Sequence, residues 1–338
     1  MPSVKQALER HQNISAILQS IRTAGKSSRR ELSKSLSLSW GCVSELVTML
    51  IEEKIIVEEE KAVSVSKGRS PAMLSLSTEI VVLGIDINRT GITACVCNLY
   101  EQRILEMTEQ LNVSDKESVL RQLFQLIDRL RSQFPAVSVI SLAMQGVRDR
   151  DAGHWRFPSD KPAFIDFEKD IASRLDIPSI IEHDPNCILF GHINHSESAS
   201  KMLVRIDQGI GAALYKYNRF FEDSLLELGY LVVGENGQML KQLLDDPADQ
   251  EKLSRYLGIT LANFSNMIAL DEIILCGDLI RQESNFLHTL IQHYNQHVID
   301  IARAGITTTD ITNAAFGAAK LAIEQFPYIR RKQGGVSV

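Results

Sequence analysis

No stretch of this 338-residue chain is apolar for the eighteen or so residues a bilayer-spanning helix needs, so no transmembrane segment is expected. The opening residues, MPSVKQALERHQ, lack the apolar centre of a secretory signal, so a cytoplasmic protein without a membrane partner is expected. Cysteine is scarce: Cys42, Cys95, Cys97, Cys187 and Cys276 are scattered and odd in number, which excludes a disulfide framework. No Cys-x-x-Cys occurs, so no zinc site is expected. Cys95 and Cys97 stand two apart in a strand-like run; they share a face and read as small buried hydrophobes rather than a metal pair. Aspartate is missing altogether from residues 1–75, where 11 Lys and Arg stand against 8 Glu, a balance of +3. The chain as a whole carries −6, so the remainder carries −9. A basic small domain on an acidic larger one fits a DNA reader joined to something else.

What is present is the composition of a soluble globular protein with a sizeable core, 44% hydrophobic and 23% charged, long enough for two or three domains. The stretch Ser27 to Leu50 reads as two short helices around a tight turn. Leu32 and Leu36 share one helical face, Ser37-Leu38-Ser39 breaks the period, and Val43, Leu46, Val47 and Leu50 restart it. That leaves Ser39, Trp40, Gly41, Ser44, Glu45 and Thr48 facing outward, near the N-terminus of a second helix suited to a major groove. An ordinary αα-hairpin has the same local pattern. A helix over Asn13 to Arg22 precedes it, and strand-like runs at Ile55-Ile56-Val57, Ala62 to Val65 and Met73 to Leu76 follow, with the turn Lys67-Gly68-Arg69-Ser70-Pro71 between the last two. Three helices and a hairpin make a winged helix. Ser39, Trp40, Gly41, Ser44 and Glu45 are then the candidates for base contacts, and Arg29, Arg30, Lys34, Lys67 and Arg69 for phosphates.

From Glu79 the character changes. A strand ending near Asp86 turns into a second strand, a helix spans Lys116 to Gln133, and a strand runs from Val137 to Met144. A helix over Phe167 to Leu175 and a strand over Ile177 to Ile181 lead into Glu182-His183-Asp184-Pro185-Asn186. The plan repeats at Met202 to Ile206, a glycine turn through Gly211, and Ala212 to Lys216. Two such units predict a duplicated, two-lobed α/β fold with a ligand cleft.

Taken together these segments resemble the ROK family of repressors and sugar kinases over nearly the whole chain. The resemblance is carried by Ser28-Arg29-Arg30-Glu31-Leu32-Ser33 and Leu38 to Ser44 in the helix-turn-helix, and by Gly68-Arg69-Ser70-Pro71 in the wing. In the body it is carried by Gly84-Ile85-Asp86-Ile87, Glu182 to Asn186, Gly209-Ile210-Gly211, Leu226 to Tyr230, Ile273 to Gly277 and Gly317-Ala318-Ala319. It implies a winged helix-turn-helix over residues 1–76 and an actin-like, ribonuclease H-like sugar-kinase fold in lobes at 77–195 and 196–338, the second dimerising.

The departures are as informative. Asn88-Arg89-Thr90 stands where the kinases have Gly-Gly-Thr, Asp207 enters the second phosphate loop, and Cys276-Gly277 replaces the Gly-Gly against adenine; all three argue against bound ATP. Tyr230 replaces the zinc-binding His and the cysteine run is missing, so neither ATP nor zinc is expected as a cofactor. Asp184 matches the kinases' general base; without catalysis it is vestigial and would accept hydrogen bonds from sugar hydroxyls, with Glu227 beside it and His183 in place of a sugar-binding Asn. The residues by themselves leave open that Asp184 only caps the following helix.

The function expected is a DNA-binding transcriptional regulator, a repressor of carbohydrate-related genes. Its partners would be a double-stranded operator, a sugar or sugar-phosphate effector and further copies in a homodimer or tetramer. An active ATP-dependent sugar kinase carrying a DNA-binding domain is the alternative, and a regulator answering only to a protein partner a third.

Overall fold

The structure is a computed structural model that describes residues 4–59, 72–89, 91–148, 154–157, 163–193, 199–216, 219–220, 226–234, 237–282 and 284–333. The chain begins with α1 (Val4–Ala24), longer at its N-terminal end than the apolar period alone marks, and burying Ile14, Ile17, Leu18 and Ile21. A two-residue strand β1 (Ser27–Ser28) leads into α2 (Arg29–Ser35). Ser28 caps that helix in a capping box with Glu31: the Glu31 N–H donates to the Ser28 hydroxyl and the Ser28 N–H to the Glu31 carboxylate. The turn passes through Ser37, whose φ of +54° lies in the left-handed region, with the Ser33 hydroxyl donating to the Leu38 carbonyl at 2.7 Å. Then α3 (Trp40–Glu52) starts from its cap Ser39 and buries Val43, Leu46, Val47 and Leu50. Strands β2 (Ile56–Glu58) and β3 (Met73–Leu76) complete a small sheet in the order β1-β3-β2. The strand expected at 62–65 lies outside the described residues.

The body holds two five-stranded sheets. The first contains β4 (Val81–Asn88), β5 (Gly91–Asn98), β6 (Arg103–Glu109), β7 (Val137–Met144, after α4, Lys116–Gln133) and the later β11, in the order β11-β7-β4-β5-β6. Two-residue β8 (Val147–Arg148), β9 (His154–Phe157) and β10 (Ala163–Asp166) form a separate three-stranded sheet. The helix expected over 167–175 is instead a π-helical turn, Phe167–Ile171, followed by a 3-10 turn, Ala172–Arg174. Asp166 caps it, and Asp170 turns back to accept the Asp166 N–H, so the segment coils more widely than an α-helix. After it come β11 (Ser179–His183) and α5 (Asp184–His192).

The second sheet is built from β12 (Lys201–Ile206), β13 (Ile210–Lys216), β14 (Arg219–Phe220), β15 (Glu272–Cys276) and β16 (Gly305–Thr308). Its order, β16-β15-β12-β13-β14, repeats the first: two parallel neighbours, a leading strand, its hairpin partner and one further strand. Duplication of the strand–turn–strand unit is therefore a property of the topology, as its repeat in the chain predicts. Helices α6 (Leu240–Leu244), α7 (Gln250–Ile268), α8 (Asp278–Gln282) and α9 (Ser284–His297) cover this lobe, and α10 (Ala315–Gln333) returns to the first. Where the cysteine run is missing, Leu240–Leu244 forms a short helix and Pro247–Asp249 a 3-10 turn.

The core positions the parts. Ile14, Ile17, Leu50, Leu74 and Leu76 of the N-terminal unit belong to one apolar cluster with Val82, Leu99, Val139, Ala319, Ile323 and Phe326 of the body. The winged unit is thus packed onto β4, β5 and α10, not tethered by a bare linker. Arg22 seals the seam: its side chain, 7% exposed, donates to the Leu99 carbonyl at 2.9 Å and pairs with Glu101 at 3.0 Å and Glu324 at 3.3 Å. Gly84 of β4 lets α10 lie against the sheet, because a Cβ there would collide with the Ala315 carbonyl.

Candidate nucleic-acid interface and effector cleft

At the N-terminal end of α3 the Ser39 hydroxyl accepts the Cys42 N–H at 3.2 Å, and Trp40 stands 57% exposed. Gly41, Glu45 and Thr48 continue the outward face, with Ser44 half-buried beside them. Arg30 and Lys34 on α2 are exposed on the flank. Arg29 is engaged: its guanidinium grips both carboxylate oxygens of Glu58, at 2.6 and 3.3 Å. Glu45 is engaged as well, accepting from Arg10 of α1 at 2.6 Å. A phosphate at Arg29, or a base at Glu45, would have to take over an existing ion pair, which the sequence pattern does not reveal. Lys67 and Arg69 of the expected wing lie outside the described residues.

The cleft opens where the C-terminal ends of the parallel strands of both sheets meet, the usual crevice of open α/β sheets. Asp86 near the end of β4, Asp184 at the start of α5, and Arg205 and Asp207 around the end of β12 converge there. Arg205 donates through Nη1 to Asp184 Oδ2 and through Nε to Asp207 Oδ2 at 2.5 Å. It is the residue that sequence reasoning missed; nothing in Val204-Arg205-Ile206 distinguishes an inward-facing cation from a surface one. Asp184 caps nothing: His183 holds the cap position without a side-chain bond, Asp184 is the first helical residue, and its carboxylate turns to Arg205. The capping account of Asp184 is therefore set aside.

Asp86 is fully buried. Its Oδ2 accepts from Asn88 at 3.1 Å and from the Ala314 N–H at 3.2 Å, while among the described residues Oδ1 has no donor. Burial pushes this carboxyl up to about 6; Arg205 pulls against that and Asp184 adds to it. Burial would lower the Arg205 guanidinium, but Asp184, Asp86 and Asp207 together hold it above its ordinary value. His183 places Nε2 3.6 Å from both Asp184 Oδ1 and Glu227 Oε1, and burial raises the Glu227 carboxyl. The structure thus brings His183, Asp184 and Glu227 together.

On the other side of Arg205 lies a polar cavity of about 280 Å³, reached by Asn88, Arg89, Gln145, Gln208 and Arg281. Asp207 does more there than repel a phosphate, as its charge alone suggests. Its Oδ1 accepts the Asp278 N–H at 2.7 Å while Oδ2 holds Arg205, so the carboxylate already occupies the donors an anion would use. Gly277 permits this with φ +113°; a Cβ there would strike the Ile206 carbonyl. Tyr230 is exposed, and among the described residues no group of three or more His, Cys, Asp or Glu is placed to hold a metal ion. Among them, too, no helix is long and apolar enough to cross a membrane.

A helix-turn-helix with a small winged sheet, packed on a duplicated two-lobed sugar-kinase fold with a carboxylate-rich cleft, defines the class. Residues 82–239 match the model of the ROK family. In sequence the chain is 22% identical over 319 residues to the xylose repressor of Staphylococcus xylosus, covering 86% of this chain and 82% of that protein. In structure it is similar to a ROK family transcriptional regulator, a homologue of the E. coli MLC protein, with a TM-score of 0.78 at 17% identity over 96% of this chain and 98% of that one. It is also similar to the ROK hexokinase of Thermus thermophilus, with a TM-score of 0.59 at 17% identity, covering 71% of this chain and 98% of that one.

Proposed function

We propose that this protein is a sequence-specific DNA-binding transcriptional repressor whose kinase-like body binds a sugar and passes that event to the winged unit. The observation that carries the reading is the pairing of Arg205 with Asp184. A general base must be free to take a proton from the sugar hydroxyl; here it is held by a guanidinium, while α3 keeps a capped, outward-facing N-terminus. The similarity to a xylose repressor and to an MLC-like regulator over both parts of the chain supports the same conclusion, and a pentose or hexose is the effector class it suggests. The protein acts in the cytoplasm as a dimer, because a helix-turn-helix reads two half-sites about one helical turn apart. No phosphoryl transfer is assigned to it.

The test is operator capture by genomic pull-down with the full chain, then binding to the recovered fragment across a salt series. Arg30→Ala with Lys34→Ala is expected to flatten the slope of log K against log salt by about 1.8, the release of two phosphate contacts. An unchanged slope removes those two residues from the interface; no specific fragment at all removes the repressor reading. ATP-dependent turnover of a hexose, abolished by Asp184→Asn, would restore the kinase.

A further inference from the structure

Trp155 is one of two tryptophans in the chain, and nothing in its sequence setting marks it as functional. It sits on β9 with 2% of its surface exposed, and its ring centroid lies 6.1 Å from that of His183. Its neighbour His154 reaches Asp166, Nε2 to Oδ2 at 3.2 Å, so strand alternation turns the indole inward. The indole Nε1 is buried and, among the described residues, meets no acceptor. An indole nitrogen is a donor only, and a buried donor without an acceptor is disfavoured in any fold. The carboxylates of the adjoining cleft face other partners, Asp184 facing Arg205 and Glu227 facing His183, each with lone pairs left over.

We propose that Trp155 is an effector-recognition residue whose indole N–H donates to an oxygen of the bound ligand. This rests on the reading of His183, Asp184 and Glu227 as an effector cleft, and it names what that ligand must present. Hydroxyl hydrogens go to the carboxylates of Asp184 and Glu227, and a hydroxyl, ring or carbonyl oxygen goes to Trp155. A monosaccharide ring supplies both on one scaffold, since each hydroxyl both donates and accepts. Its C–H face also suits an aromatic ring. A ligand of donors alone, such as a polyamine, satisfies the carboxylates and leaves the indole unpaired.

The experiment titrates the full chain with D-xylose, D-glucose, N-acetyl-D-glucosamine and spermidine by calorimetry, and repeats the titration in Trp40→Phe, where tryptophan emission reports Trp155 alone. A monosaccharide is expected to shift the emission and to bind, and Asp184→Asn to lose that binding. Trp155→Phe is expected to weaken it by about tenfold, the loss of one buried hydrogen bond. Because Phe also leaves a void, the deciding replacement is benzothienylalanine at the same position, which keeps the bicycle and lacks the N–H. Weakening by about tenfold with an unchanged melting temperature supports the proposal. Unchanged affinity with benzothienylalanine overturns the Trp155 assignment and leaves the effector cleft standing. Binding of spermidine and of no sugar, or of nothing by the parent chain, overturns both.

Discussion

Asp86 is the residue on which the cleft's electrostatics turn. Its carboxyl titrates near 6 in the fold against an ordinary 3.8, because burial penalises the charged form more than Arg205 compensates. A raised carboxyl pKa means that the folded state holds its proton more tightly than the unfolded chain does. Its contribution is therefore most favourable below pH 4 and is lost as pH rises through 6. Two pKa units correspond to about 3 kcal/mol. Asp86→Asn keeps the acceptor for Asn88 and Ala314 and removes the charge, so the variant should exceed the parent chain in stability at pH 7.5, by up to about 3 kcal/mol. The gap should close as pH falls to 4. Urea unfolding at the two pH values measures it; a gap independent of pH would place the perturbation elsewhere. At this scale the sequence is legible where a residue type has few other uses. Asp184, His183 and Glu227 stand together because their segments follow a known motif order. Arg205 was hidden because a strand residue's direction depends on register, and the orphan nitrogen of Trp155 because an unpaired donor is a property of its surroundings alone.

Elements divide along the same physical line. The period of Val43, Leu46, Val47 and Leu50 predicts α3, and the fold buries those four residues. Strand β1 is two residues long and exists only because β3 lies beside it, pairing Ser27 with Leu74 and Ser28 with Met73. No local pattern announces such a strand. The π-helical turn at Phe167–Ile171 is likewise invisible to a helical period, since its apolar residues fit an α-helix equally well. For α3 itself, two substitutions separate folding from recognition. Ser39→Ala removes the cap and should cost about 1 kcal/mol of stability, seen in denaturant unfolding. Trp40→Ala, at a largely exposed site, should change stability by less than about 0.5 kcal/mol and yet weaken operator binding. A Trp40 variant with full operator affinity would move the reading surface of α3 towards Ser44 and Thr48.

Over the whole molecule the winged unit and the cleft are joined by one helix. The Ala314 N–H just before α10 donates to Asp86 at the cleft, and Phe326, three turns on, is buried in the core shared with α1. Twelve residues of helix span about 18 Å, so a shift at one end is delivered nearly rigidly to the other. Lys320 stiffens the middle, donating to the Ile193 carbonyl at 2.8 Å and lying 3.5 Å from Glu101, which in turn holds Arg22 of α1. The sequence shows both ends as apolar runs; that they are ends of one connector follows only from the packing. If α10 carries the coupling, the factor by which sugar changes operator affinity must equal the factor by which operator changes sugar affinity. Phe326→Ala should leave sugar affinity in the free protein unchanged while pulling both factors towards one together. Titrations of sugar with and without operator, and of operator with and without sugar, read the two factors independently. A variant that keeps both at the parent value would remove α10 from the route and leave the direct contacts of Arg22 with Leu99 and Glu101 to carry it.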